Sequence, residues 1–163
     1  MTRGVVFVHS CPRAITAQVE WVLREVFETR IQLEWTEQPV LAGCYRAELS
    51  WTGPAGSAAR IISDLHAWGR LRLEVTQEPT TTTEGERFAA TPSLGIHRAT
   101  IGAHGDIMVS EERIRAAMNR AQLSGRALEL ELDELLGRPW DLELEPFRYA
   151  GENNTVRWLH HVG

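Results

Sequence analysis

The side chains in this sequence best suited to nucleophilic, redox or metal chemistry are two cysteines and six histidines. His9, Ser10 and Cys11 stand together in "FVHSCPR", where an apolar run meets a proline. Three chemistries fit them. A thiol at a helix N-terminus has a lowered pKa, so Cys11 there, assisted by His9, would be a nucleophile. Cys11 and Cys44 would form a redox pair if their Cα atoms came within about 7 Å. His9, Cys11, Cys44 and His66 together have the donor types that bind zinc, although their spacing matches no standard zinc motif. The bland alternative is that both cysteines are small buried hydrophobes and His9 ends a strand. These four residues are weak catalytic candidates, and none is assigned as a metal ligand or cofactor contact.

The other polar stretches have stronger structural readings than chemical ones. "HGD", residues 104–106, offers an imidazole and a carboxylate, but a tight turn needs such Gly and Asp residues. His160 and His161 are adjacent, so in an extended segment they point to opposite faces and do not chelate one ion. The acids between Asp133 and Glu145, with Arg138 and Arg148, read as a solvated face or as Arg–carboxylate pairs before they read as acid–base machinery. Trp140, Phe147 and Tyr149 are expected to anchor this irregular tail. "GPAG", residues 53–56, opens a helix and lacks the lysine and spacing of a phosphate-binding loop.

Hydrophobic patterning says which elements must position these groups. Residues 4–9 are β-branched and aromatic and form a strand; Val5 to Val8 are all apolar, so both faces need cover and the strand is central. Residues 12–28 carry a helical stripe of Ile15, Val19, Val22, Leu23, Val26 and Phe27, with Pro12 in the first turn. Residues 30–36 and 44–51 alternate strictly and predict two half-buried strands. A second helix is expected over 54–68 and a fourth strand over 70–77. This order is the split βαβ, ferredoxin-like pattern, an α+β fold whose antiparallel sheet has the spatial order 4-1-3-2. Such a sheet gathers His9, Cys11, Cys44 and His66 at one end. Its face opposite the helices shows Gln32, Glu34, Arg46, Glu48, Arg72 and Glu74, and the C-terminal half, or a second subunit, should cross part of it.

Residues 78–92 are polar and low in complexity and predict a flexible loop between the unit at 1–77 and a C-terminal α/β extension at 93–163. That extension should hold a hairpin turning near Gly102 to Gly105 and a helix capped by Ser110. The stretch 127–136 is ambiguous between strand and helix, with helix favoured by its leucines and glutamates. An extended closing segment, "TVRWLHHV", should follow. All of this is expected to pack as one compact domain.

Composition limits the function. The formal charge is −5, and all of the acidic excess lies after residue 77, which lacks the electrostatic footprint of a nucleic-acid binder. Trp35, Tyr45 and Trp51 share the buried parity, so no aromatic platform for RNA bases is expected. No apolar run reaches the roughly 18 residues of a membrane span, and no signal peptide is read at the N-terminus. Every one of the 17 basic residues is arginine, which suits a GC-rich genome.

"RGVVFVHS", "TPSLGIHRATIGAHGDIMV", "LELELDELLGRPWDLELEPFRYAGE" and "VRWLH" resemble an actinobacterial uncharacterised family, the domain of unknown function numbered 3145, over nearly the whole chain. The resemblance implies a soluble cytoplasmic protein and brings no activity, cofactor or catalytic residue. The leading expectation is a non-enzymatic binding or regulatory module with a protein or small-molecule partner. The alternatives are a small thiol- or histidine-assisted enzyme at the edge of strands 1 and 3, and a structural protein that forms a homodimer.

Overall fold

β-branched residues on both sides of Phe7 favour an extended chain, and the first strand, β1, runs from Thr2 to Pro12. The structure is a computed structural model and describes residues 1–150. A short 3-10 turn at Arg13–Ile15 leads into α1 (Thr16–Phe27). There follow β2 (Thr36–Glu37), β3 (Cys44–Gly53), α2 (Ser57–His66) and β4 (Arg72–Gln77). Then come β5 (Gly85–Thr91), β6 (Gly95–Ile101), β7 (Ile107–Met108) and three helices, α3 (Glu111–Ser124), α4 (Leu128–Leu135) and α5 (Arg138–Arg148).

The fold is α+β, with one antiparallel sheet in the order β2-β3-β1-β4-β5-β6-β7. β1 lies between β3 and β4, as its two apolar faces require. The expected four-stranded sheet is corrected in two respects. β4 is an interior strand, because β5 pairs with its outer side from Leu73 to Gln77. The alternating segment 30–36 contributes only Thr36 to a strand, pairing with Arg46. Its side chains obey the alternation, since Leu33 is buried and Ile31 and Trp35 pack on the core. Its backbone is held by a side chain instead: one Glu20 carboxylate oxygen accepts from the Leu33 amide at 2.9 Å and from the Trp35 indole at 3.1 Å. Alternation reported burial there and did not report pairing.

The loop expected over 78–92 is also corrected. Residues 85–91 are β5, and Phe88, Ala89, Ala90 and Thr91 are buried between two neighbouring strands. Strings of Thr and Glu hid a strand whose last four residues, Phe88 to Thr91, are buried. The tail beyond Gly137 is helix α5 and not irregular chain. Pro139 stands in its first turn, where no amide donor is needed. Pro146 lies inside the helix near its end and supplies no amide donor there. The stretch 127–136 contains α4, and Ser110 caps α3 by accepting from the Arg113 amide. The expected hairpin turns at 102–106, with Gly105 at a φ of 87° and Gly102 donating to the Asp106 carbonyl. The closing segment, with His160 and His161, lies outside the described residues.

Two layers cover the sheet. On the first face, Val6, Val8, Leu73, Val75, Phe88 and Ala90 pack with Val19, Leu23, Ile61, Ile62 and Leu65 of α1 and α2. Each such fully buried aliphatic side chain contributes about 1.5–3 kcal/mol. On the second face, α5 lies against β1 and β5 and is followed back along the chain by α4 and α3. Close approach at the start of β1 requires glycine: a Cβ on Gly4 would come within 1.8 Å of the Thr76 carbonyl oxygen and 2.5 Å of the Trp51 ring.

Candidate functional site

Cross-strand pairing fixes which side chains share the second face. One row runs Phe7, Glu74, Ala89, His97 across β1, β4, β5 and β6. The next runs Val5, Thr76, Arg87, Ala99. α5 lays Trp140, Asp141, Leu144, Phe147 and Arg148 over them, a set spaced as one helical face.

At the centre of this layer is a buried ion cluster. Glu74 is 0% exposed, His9 4% and Arg148 6%. His9 Nε2 lies 2.7 Å from Glu74 Oε2. Arg148 donates to both Glu74 oxygens, through Nε at 3.0 Å and through Nη2, and Nη2 donates also to Asp141 Oδ1 at 2.9 Å. Burial alone would push the Glu74 carboxyl up, but His9 and Arg148 outweigh it and hold it at about 2. Burial works against the Arg148 cation too, and the bonds to Glu74 and Asp141 more than offset it, so its pKa lies above the usual arginine value. Beside the cluster, the Arg72 guanidinium carbon lies 4.7 Å over the Phe147 ring, and Arg72 Nε lies 3.3 Å from Glu143 Oε1 as an ion pair. Thr91 and Ser93 donate to the other Glu143 oxygen.

A bulge decides where the sequence candidates go. From Val8 to Cys11 β1 advances three residues while β3 advances two, from Ala47 to Tyr45. The extra residue breaks the alternation that would put His9 and Cys11 on one face. His9 turns to Glu74 on the second face, and Cys11 enters the first-face core with 0% exposure. Gln38 Nε2 donates to the His9 carbonyl at 2.7 Å at this irregular point. Cys44 is partly buried opposite Pro12, next to the residue that faces Cys11, and both thiols are free. Burial, then the neighbouring Cys44, pushes the Cys11 thiol up to about 12, against a smaller lowering by Arg70. The expected helix N-terminus at Cys11 is absent, since the residue is still in β1 and α1 begins at Thr16. His66 is the last residue of α2 and half-buried. Sheet topology thus makes neighbours of the two cysteines and parts His9 from them. Among the described residues, no three His, Cys, Asp or Glu side chains come close enough to hold a metal ion.

The same face holds an opening at its other end. A cavity of about 260 Å³ lies where Gly4 and Val5, Thr76, Arg87 and Ile101 meet Pro79 and the turn at 102–105. Two carboxylates at this cavity are neutralised by partners: Glu78 by Arg3 at 3.2 Å, and Glu86 by Arg98. Arg87 is different. Its side chain is 11% exposed, its one ion pair among the described residues is with Asp141 Oδ1 at 3.8 Å, and that oxygen already accepts from Arg148.

A family model described as a protein of unknown function, DUF3145, matches residues 5–161. The chain belongs to the DUF3145 family. No curated protein and no solved structure matches it. The matched span runs from within β1 through α5, so both faces of the sheet belong to the DUF3145 unit. No described helix of this DUF3145 chain is long and apolar enough to cross a membrane.

Glu74, Arg148, Asp141 and Arg87 are the residues that sequence reasoning missed as a set. A signal for Glu74 was present: it is paired with Phe7, whose apolar face demanded cover, so a carboxylate beside it would be buried and would need a cation. Nothing local marked Arg148, 74 residues away, as that cation.

Proposed function

We propose that this DUF3145 protein is a non-enzymatic binding module that takes a small molecule in the cavity of about 260 Å³ on the second face. The supporting observation is the contrast in partnering along that face. His9, Glu74 and Arg148 are buried, and the carboxylate and guanidinium saturate one another, which suits a structural role. The cavity has apolar walls and one poorly partnered cation, the composition of a ligand pocket. A thiol held near 12 is a poor nucleophile at neutral pH, which favours binding over a cysteine-based reaction.

The first four strands with α1 and α2 are proposed as a ferredoxin-like unit in which β1 is central, extended by β5–β7 and α3–α5. Two free cysteines support a reducing, cytoplasmic setting, and an arginine-only basic set supports an actinobacterial source. A ligand-observed NMR screen of small organic fragments tests the binding function. Hits that bind the wild-type chain and are lost in Ala103→Leu, which narrows the cavity from an exposed loop residue, support it. Hits indifferent to that substitution, or none at millimolar concentration, contradict it.

A further inference from the structure

We propose that the cavity selects a small monocarboxylate with an apolar body, and that Arg87 is the residue that reads the carboxylate. The inference rests on the binding function above and names its ligand class. A guanidinium carries five N–H donors in a planar fork that matches a carboxylate in bidentate fashion. Taken out of water, those donors are costly to leave without acceptors. Arg148 shows the satisfied case in this fold, with bonds to Glu74 and Asp141. Arg87 is the open case: among the described residues it donates no hydrogen bond, its nearest carboxylate oxygen is 3.8 Å away, and its guanidinium nitrogens are not sealed from solvent, so their donors are available to a ligand. It sits in the cross-strand row Val5, Thr76, Arg87, Ala99, so its side chain shares a face with the cavity wall.

The rest of the wall sets the body of the ligand. Gly4, Val5, Pro79 and Ile101 offer apolar surface or bare backbone. The Thr76 hydroxyl is engaged, accepting from the Val5 amide at 3.1 Å. Glu78 and Glu86 face their own arginines, and their presence at the cavity disfavours a ligand with a second negative charge. A volume of about 260 Å³ equals roughly nine waters of liquid, which suits a body of a few carbons and excludes a nucleotide.

The experiment compares 4-methylpentanoate with 4-methylpentanamide, which have the same shape and differ in charge, by calorimetry or NMR titration. Wild-type protein is expected to bind the acid at least about tenfold more tightly than the amide. Arg87→Gln should bring the two to equal, weak affinity, and Arg87→Lys should restore only part of the preference. Equal binding of acid and amide by wild type, both lost in Ala103→Leu, would overturn the carboxylate assignment and leave the binding function standing. Absence of binding by either would overturn the carboxylate assignment, and the fragment screen would then decide the binding function by itself. Should Arg87→Gln not fold, the acid-to-amide ratio of the wild-type chain decides the matter alone.

Discussion

The cysteine edge of the first face and the charged layer of the second face are built from the same strand, β1, and they behave oppositely. At the edge, residue types that advertise chemistry are used as packing: Cys11 is a core residue with a raised pKa. Beneath α5, residues that read as an exposed ladder are drawn inside and matched: Glu74 is fully buried between His9 and Arg148. The bulge at His9 separates the two regions. Residue type therefore says less about reactivity here than the face to which a side chain is sent.

The largest way to break this comparison is to unbalance the buried layer. Glu74→Ala leaves the Arg148 guanidinium and His9 without their carboxylate, and is expected to cost about 3–5 kcal/mol in urea unfolding. Replacing all three, as Glu74→Leu with Arg148→Met and His9→Phe, should recover at least half of that loss, because no lone charge remains. A triple variant as unstable as Glu74→Ala would show that the cluster stabilises by more than mutual satisfaction. Next in size is Gly4→Ala, expected to cost about 1–3 kcal/mol because the new Cβ meets a backbone oxygen that cannot swing aside.

The pH dependence sharpens the contrast. The Glu74 carboxyl is lowered from 4.5 to about 2 on folding. Its contribution is therefore complete above 4.5 and is lost as pH falls through 2. Acid unfolding followed by circular dichroism should show a fall across that window that Glu74→Gln removes. A smaller effect comes from His97, whose pKa burial lowers below 6.5, with a weaker upward pull from the Leu135 carbonyl. The unfolded chain then takes up the proton first, so stability should decline as pH drops below 6.5. His97→Phe should flatten that slope. The smallest effect belongs to the cysteine edge: Cys44→Ser should change stability by no more than about 0.5 kcal/mol. Cys11 should resist iodoacetamide at pH 8 in the folded chain, as its raised pKa requires.

Much of the first face was legible because its signals are local. The stripe through Val19, Val22 and Leu23 and the apolar parity of Leu73 and Val75 each follow from neighbours in sequence. The second face was not legible to the same depth. Phe7 said that something must cover it, but the cover is Leu144, Phe147 and Arg148 on a helix disguised by two prolines. β5 was hidden because threonines and glutamates precede and flank its short buried run, Phe88 to Thr91. The bulge at His9 has no composition signature, and without it Cys11 and His9 fall on one face. The cavity depends on pairings between residues such as Val5 and Thr76, which are 71 positions apart, and no local pattern carries that distance.

An amide NMR map of this protein titrated with 4-methylpentanoate tests the central claim most directly, since both regions report in one spectrum. The account predicts saturable shifts at Gly4, Gly102 and Gly105 of the cavity, with Cys11, Cys44 and Tyr45 unmoved. Shifts centred on the cysteine edge, with the cavity glycines silent, would contradict it.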